Sequence, residues 1–379
     1  MDTSPRPGRS RFLAVWPILA VAAWLANVSW IITQIRVDGV VAGLPLSIVV
    51  TLPMVGVFLW LDRWEREQPR RLLSAFAWGA SFAALCSIWS QEGLQAFFDA
   101  ALGTDVTTWF RPLVITPVTE EVFKGLFLIW LLVYRRRRIT GLLDGIVYGG
   151  LVGAGFAFTE QILYFGRIVT TFAASDPSDG GALVTLILSF ALRMVMVPFM
   201  HSFLVAIFGL GIAAAAGTRS RGARFGLAGA GLLVAIVLHG VWDWAGLSGT
   251  RDPFLIYKFY GAVMVPLFLA MLILALILRR REGKAIAAAL PSLAREGRIG
   301  EHEVGALANL GERRRWRRDV RRRSGRAAAR ATGRYQAEAS ALAIRTTRSL
   351  ASGTRDGLVE QTRVVADARA VMLEADARG

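Results

Sequence analysis

TPVTEEVFKGLFLIWLLVYRRRR, Thr116–Arg138, decides what kind of molecule this chain is. From Pro117 to Tyr134 it is long and apolar enough to cross a bilayer, since a hydrocarbon core of ~30 Å needs about 20 helical residues at ~1.5 Å each. Four arginines then end it, as basic residues do on the cytoplasmic side of a span. Within it stand Glu120, Glu121 and Lys124. A charged side chain in hydrocarbon costs at least ~2.5–3.5 kcal/mol, so three within two turns belong in a protein interior and need a reason to be there. Thr116 before Pro117 reads as an N-cap and first helical residue, which places Glu120 in an opening turn where the helix dipole favours an anion.

Outward from this stretch the same reading finds seven more spans. They run roughly from Phe12 to Thr33, Val40 to Leu61, Leu72 to Trp89, Leu142 to Phe165, Val197 to Ala216, Phe225 to Leu247 and Phe254 to Leu278. The first follows Arg6, Arg9 and Arg11 and is read as a retained signal anchor, because spans follow it. Basic residues crowd alternate loops: Arg63, Arg66, Arg70 and Arg71; Arg135 to Arg138; Arg219, Arg221 and Arg224. The loops between hold only Arg36, Arg111, Arg167, or Arg251 with Lys258. The expectation is an all-α, polytopic membrane helix bundle of about eight transmembrane helices, multi-pass in the cell membrane, with both termini cytoplasmic. Gly181 to Gly217 is too long for one crossing. Ala182 to Met196, with Arg193, is therefore read as a surface or re-entrant helix, the span proper beginning near Val197 beside Pro198.

Composition agrees with this division. The 379 residues are 54% hydrophobic yet carry a net charge of +16, a combination that excludes an ordinary soluble domain. Residues 279–379 hold 23 basic and 12 acidic side chains, so most of the surplus lies in the tail. Three regions are expected: an N-terminal three-span region (1–111), a five-span catalytic membrane core (112–278) and a basic Ala/Arg-rich cytoplasmic tail (279–379). In the tail, Gly311 to Arg330 and Tyr335 to Leu350 read as surface-lying or loosely packed helices. The run Arg313 to Arg318 is taken to meet anionic lipid rather than nucleic acid, with Trp316 at the interface. The single cysteine, Cys86, excludes a disulfide framework or a CxxC site.

The costly residues inside the spans cluster. Glu160 lies in the fifth span, His201 in the sixth, and His239 and Asp243 in the seventh. Counted from the cytoplasmic loops at ~1.5 Å per residue, Glu120, Glu121 and His239 lie about 21 Å up, His201 about 25 Å, and Glu160 and Asp243 about 27–29 Å. Unrelated salt bridges have no reason to share a depth in the outer half of a bilayer. Lys124 can reach either carboxylate at i−4 and i−3, and the one-turn spacing lets Asp243 receive an N–H of His239. Gly149, Gly150, Gly153 and Gly155 would let the fifth span approach its neighbours closely. Asp144, near the start of that span, reads as a helix N-terminal carboxylate.

Three chemistries fit two histidines and several carboxylates at one depth. Glu160, His201 and His239 could hold zinc while another glutamate activates water. A carboxylate could activate water without metal, with histidine stabilising the transition state. An ion- or proton-coupled secondary transporter could use the cluster as a relay. Transporter halves should repeat, and no second copy of these patterns occurs in the other spans.

The residues from Leu113 to Leu247 resemble the PrsW family of intramembrane proteases, within the wider superfamily of CAAX prenyl endopeptidases. The resemblance rests on Glu120-Glu121-Val122-Phe123-Lys124 (EExxK), Leu143-Asp144-Gly145-Ile146-Val147-Tyr148-Gly149, Phe156-Ala157-Phe158-Thr159-Glu160 with Tyr164, His201, and His239-Gly240-Val241-Trp242-Asp243. Gln161 departs from the asparagine common after that glutamate. The resemblance implies proteolysis of membrane-embedded or membrane-proximal proteins, anti-sigma factors among them, with the paired glutamates and the histidines essential. The expected catalytic set is Glu120, Glu121, Lys124, Glu160, His201, His239 and Asp243.

Overall fold

The computed structural model describes residues 7–176, 180–247, 254–352 and 358–378. Arg6 and Arg251, counted above among the loop charges, lie outside them. The described residues are helical with no strand, and they form two compact units: residues 1–59 with 68–271, and residues 60–67 with 272–379.

The first unit begins with α1 (Pro7–Leu61), which contains two of the expected spans. Arg36, at φ 61° and ψ 179°, breaks it into two helical stretches. The chain continues through α2 (Pro69–Trp78), a π-helical turn (Gly79–Ala83), α3 (Ala84–Leu102), α4 (Thr104–Phe110), a second π turn (Arg111–Ile115) and α5 (Thr116–Arg135). Then come α6 (Leu142–Ala173), α7 (Gly180–Ala191), a third π turn (Leu192–Met196), α8 (Met200–Gly217), α9 (Arg221–Leu247), α10 (Leu255–Phe259), a fourth π turn (Tyr260–Met264) and α11 (Val265–Arg295). Among the described residues, six helical stretches are long and apolar enough to cross a membrane, and the protein is a multi-pass membrane protein. Aliphatic side chains exposed on α1, α9 and α11, such as Ile18, Val237 and Leu269, suit contact with lipid.

Helix α6 is the central post: almost all of its Leu143–Gly166 stretch is buried. Its glycines explain the position. Gly145, Gly149 and Gly153, spaced by four, form one face against α8. A Cβ on any of them would collide with the backbone carbonyl of Gly209, Val205 or His201 in turn. Gly155 meets the Phe76 carbonyl in the same way on α2. Asp144 accepts hydrogen bonds from the Thr140 N–H (2.5 Å), the Thr140 hydroxyl (2.9 Å) and the Gly141 N–H (3.0 Å), and so caps α6 as its sequence position suggests.

One expectation changes here. Thr116 is not an N-cap: the helix reaches it through the π turn, and the Thr116 N–H bonds the Arg111 carbonyl. Pro117 has no N–H to give, so the wider turn before it is a natural place to absorb the missing bond. The long segment after Gly180 does break at Pro198, between the third π turn and α8, and none of α7 is buried.

The π turns free carbonyls that polar side chains then satisfy, as a bilayer interior requires. Around Gly79–Ala83, the Ala80 carbonyl accepts the Thr159 hydroxyl (2.7 Å) and the Ser81 carbonyl accepts Asn27 Nδ2 (2.9 Å). Gln161 Nε2 donates to the Arg193 carbonyl (3.4 Å), a use its amide can serve as well as an asparagine.

The second unit comprises the connection 60–67, the continuation of α11, α12 (Val304–Ala308), α13 (Leu310–Ser352) and α14 (Leu358–Ala377). It is not a set of loosely packed helices. Leu290, Leu293, Leu307, Tyr335, Leu342 and Val365 bury a core. Alanines at the contacts let sparse large residues suffice, because helices approach closely where side chains are small. Glu303, 2% exposed, is held by the Gly300 N–H (2.7 Å), Arg369 Nε (3.0 Å) and the Tyr335 hydroxyl. Trp316, expected at a lipid interface, packs instead edge-on against Tyr335 (6.1 Å between ring centroids). Gly325 folds α13 back on itself at φ 82° and ψ −174°, a conformation that only glycine adopts readily.

Candidate active site

Helix α5 delivers Glu120, Glu121 and Lys124 into the middle of the first unit. The Lys124 side chain is fully buried, and its ammonium has three acceptors for its three N–H bonds. They are Glu120 Oε2 (2.9 Å), Glu121 Oε1 (2.9 Å) and His201 Nδ1 (3.0 Å). Phe156 of α6 lies under it, 4.0 Å from nitrogen to ring centroid. Guanidinium is planar, whereas these acceptors surround a point; the site suits lysine in particular.

This contact assigns the tautomer of His201. An ammonium only donates, so Nδ1 accepts and Nε2 carries the proton. That Nε2–H donates to Glu160 Oε2 at 2.5 Å. On α9, His239 Nδ1 donates to Glu121 Oε1 at 2.9 Å, leaving Nε2 directed towards Glu120 Oε2 (4.0 Å) and Asp243 Oδ2 (3.6 Å). The one-turn spacing suggested Asp243 as the carboxylate that orients the ring. At 3.6 Å it lies beyond hydrogen-bond length, and the hydrogen bond belongs to Glu121.

Exposure separates the carboxylates. The Glu121 side chain is 1% accessible, while those of Glu120, Glu160 and Asp243 are 9%, 21% and 22% accessible. The latter three line a cavity of about 550 Å³ together with His201 and His239. The cavity therefore opens onto Glu120 but not onto Glu121. The cavity extends to Leu247 and Ile256, on either side of the connection between α9 and α10.

All seven residues singled out in the sequence meet at this one place, brought by α5, α6, α8 and α9. Others join them unannounced. Gln91 of α3 donates through Nε2 to Glu120 Oε1 (3.4 Å) and accepts the Thr116 hydroxyl (3.2 Å). Arg193 lies over the Tyr164 ring, 3.3 Å from centroid, at the cavity wall. Gln91 stands just past the end of an apolar run, where a polar residue is ordinary and draws no notice.

Ligand atoms of Glu120, Glu121, His201 and His239 all lie within 4.8 Å of one another, and this buried group could hold a metal ion. Two imidazoles and two carboxylates are the donor types of hydrolytic metal centres, and His239 Nε2 has its lone pair free; Lys124 holds the other three groups, so an ion would take the place of its ammonium. Glu160 is outside that group and reaches it through His201 Nε2.

Glutamates, histidines and an aspartate around a cavity inside a polytopic helical bundle are the groups an intramembrane hydrolase needs. The chain belongs to the PrsW family of intramembrane metalloproteases, whose family model matches residues 67–271. It is thus a peptide-bond hydrolase of the membrane. Searches of curated proteins and of solved structures return no match.

Proposed function

We propose that the protein cleaves membrane-embedded or membrane-proximal protein substrates, anti-sigma-factor-like proteins among them, near the outer face of the cell membrane. The observation that carries this reading is the pairing at Lys124: one glutamate faces the cavity and its neighbour is sealed. Glu120 is the general base that takes a proton from water in the cavity. Lys124 and Gln91 hold its two oxygens and so aim the carboxylate. Glu121 keeps His239 in one tautomer and leaves Nε2 facing the reaction. His201 and Glu160 form a second polar arm, and Asp243 adds a carboxylate at the cavity edge.

A zinc ion, held by His239, Glu160 and a His201 ring released from Lys124, would supply Lewis-acid polarisation of the scissile carbonyl and a more acidic bound water, leaving Glu120 as the base. The outer-face assignment rests on the charge alternation, which puts the connection at Leu247 and Ile256 outside, at one end of the cavity. The core comprises 112–278, both termini are cytoplasmic, and the basic tail lies near anionic lipid.

Co-expression with a panel of single-span proteins tests this reading. Wild type should give fragments cut near the outer boundary of the substrate's span, and Glu120→Ala, Glu121→Ala and His239→Ala variants that insert normally should not. Unchanged fragments in all three variants would refute it. Zinc bound stoichiometrically and lost in a His201→Ala, His239→Ala double variant supports the metal form; full activity of metal-free protein excludes it.

A further inference from the structure

The second unit has a cavity of its own, about 150 Å³, walled by Arg63, Arg66, Arg313, Arg314 and Arg317 with Trp64. No carboxylate lines it. Three separate stretches supply the wall: the connection between α1 and α2, the first turns of α13, and the part of α13 beyond Gly325 at Gly333, Gln336 and Ala337.

The wall is built rather than incidental. Arg313 is 3% exposed, and its guanidinium donates to the Leu307 carbonyl through Nε (2.8 Å) and Nη2 (2.6 Å) and to the Trp64 carbonyl through Nη1 (3.2 Å). Trp64 in turn packs on Gly283, where a Cβ would come within 2.6 Å of the indole. Buried Gln336 donates to the Arg313 carbonyl (3.2 Å) and accepts from Arg317 Nη1. Two arginines are thus fixed, with Arg63 half-buried beside them and Arg66 and Arg314 at the mouth. Burial, then the nearby Arg317 charge, pull the Arg313 guanidinium down to about 10. Burial with Arg314 and Arg66 pulls Arg63 in the same direction.

Five like charges around one void repel one another, offset at Arg313 by Glu282 from outside the wall, so they oppose folding unless something at the site compensates. A void of this size has room for about five waters at ~30 Å³ each, or for a single tetrahedral oxyanion. Arginine forks match phosphate oxygens, and a terminal phosphate brings about −1.5 to −2 charge where a diester brings one. Nucleic acid spreads its charges at ~3.4 Å per strand along a stripe, which a single compact cavity does not follow. We propose that this cavity binds a terminal phosphate group, as a phosphomonoester or pyrophosphate. The bound group would staple the connection 60–67 to both halves of α13. Its source is either a lipid headgroup or a soluble molecule.

The test uses the full chain in detergent and titrates it separately with inorganic pyrophosphate and with short-chain phosphatidic acid. An Arg63→Gln, Arg66→Gln, Arg314→Gln triple variant is compared with an Arg321→Gln, Arg322→Gln, Arg326→Gln triple, which removes equal charge from exposed positions on α13. The pocket triple should bind at least tenfold more weakly, and the control less than twofold. The probe that saturates the wild-type site identifies the source. Without ligand, the pocket triple should unfold at the wild-type temperature or above, because repulsion is relieved. Ala337→Glu, which keeps every arginine and adds a carboxylate to the wall, should also abolish binding. Equal weakening in both triples, no saturable binding of either probe, or a preference for RNA oligonucleotides that grows with their length would overturn the proposal. No readout depends on proteolysis, so this test and that of the protease reading fail separately.

Discussion

Lys124 has as many acceptors as it has donors, so removing it strands two buried carboxylates on one another. Lys124→Met should therefore lower unfolding stability by about 3–5 kcal/mol, as when one partner of a buried ion pair is lost. Thermal or denaturant unfolding in detergent measures it. Glu121→Gln should reduce stability and activity together, because Glu121 bonds both Lys124 and His239. The residues of this site were readable because hydrocarbon makes every charge conspicuous: Glu120, Glu160, His201 and Asp243 each stood out against apolar neighbours. Which carboxylate grips His239 was not readable. Spacing along one helix points to Asp243, whereas the partner that wins comes from another helix, and its position depends on how α5 and α9 pack.

Among the elements, the contact between α6 and α8 sets the geometry of the site, since Gly153 packs on the backbone of His201 itself. Gly153→Val should cost about 1–3 kcal/mol of stability by overpacking and remove activity, by displacing His201. Gly93, on α3 with open space around it, is the control: Gly93→Ala should keep activity and gain up to ~1 kcal/mol. In the tail, Gly325→Ala should cost about 1–3 kcal/mol, visible as a lower unfolding midpoint, because alanine resists the φ of 82° found there. The glycine spacing on α6 was legible as a packing face. The π turns were not, because the shift from four- to five-residue hydrogen bonding leaves no composition signal beyond an occasional proline such as Pro112 or Pro117. Nor was the tail's core legible. Its apolar residues are few, and only the turn at Gly325 brings Tyr335 and Leu342 over Leu290 and Leu307.

At the scale of the whole molecule, the alternation of loop arginines predicts sidedness. On a Cys86→Ser background, single cysteines at Asp38 and Ala174 should react with a membrane-impermeant maleimide in intact cells. Those at Arg70 and Arg219 should react only after permeabilisation. The reverse pattern would move the cavity mouth to the inner face. What joins sidedness, packing and chemistry is the claim that Glu120 activates water for peptide hydrolysis inside the bundle. The most direct measurement is the initial rate at which purified protein in liposomes cleaves a reconstituted single-span substrate, wild type against Glu120→Gln. A roughly 10²–10⁴-fold loss of rate, with the unfolding temperature preserved, is the result predicted for removal of a general base. Cleavage by a folded Glu120→Gln protein at the wild-type rate would contradict it.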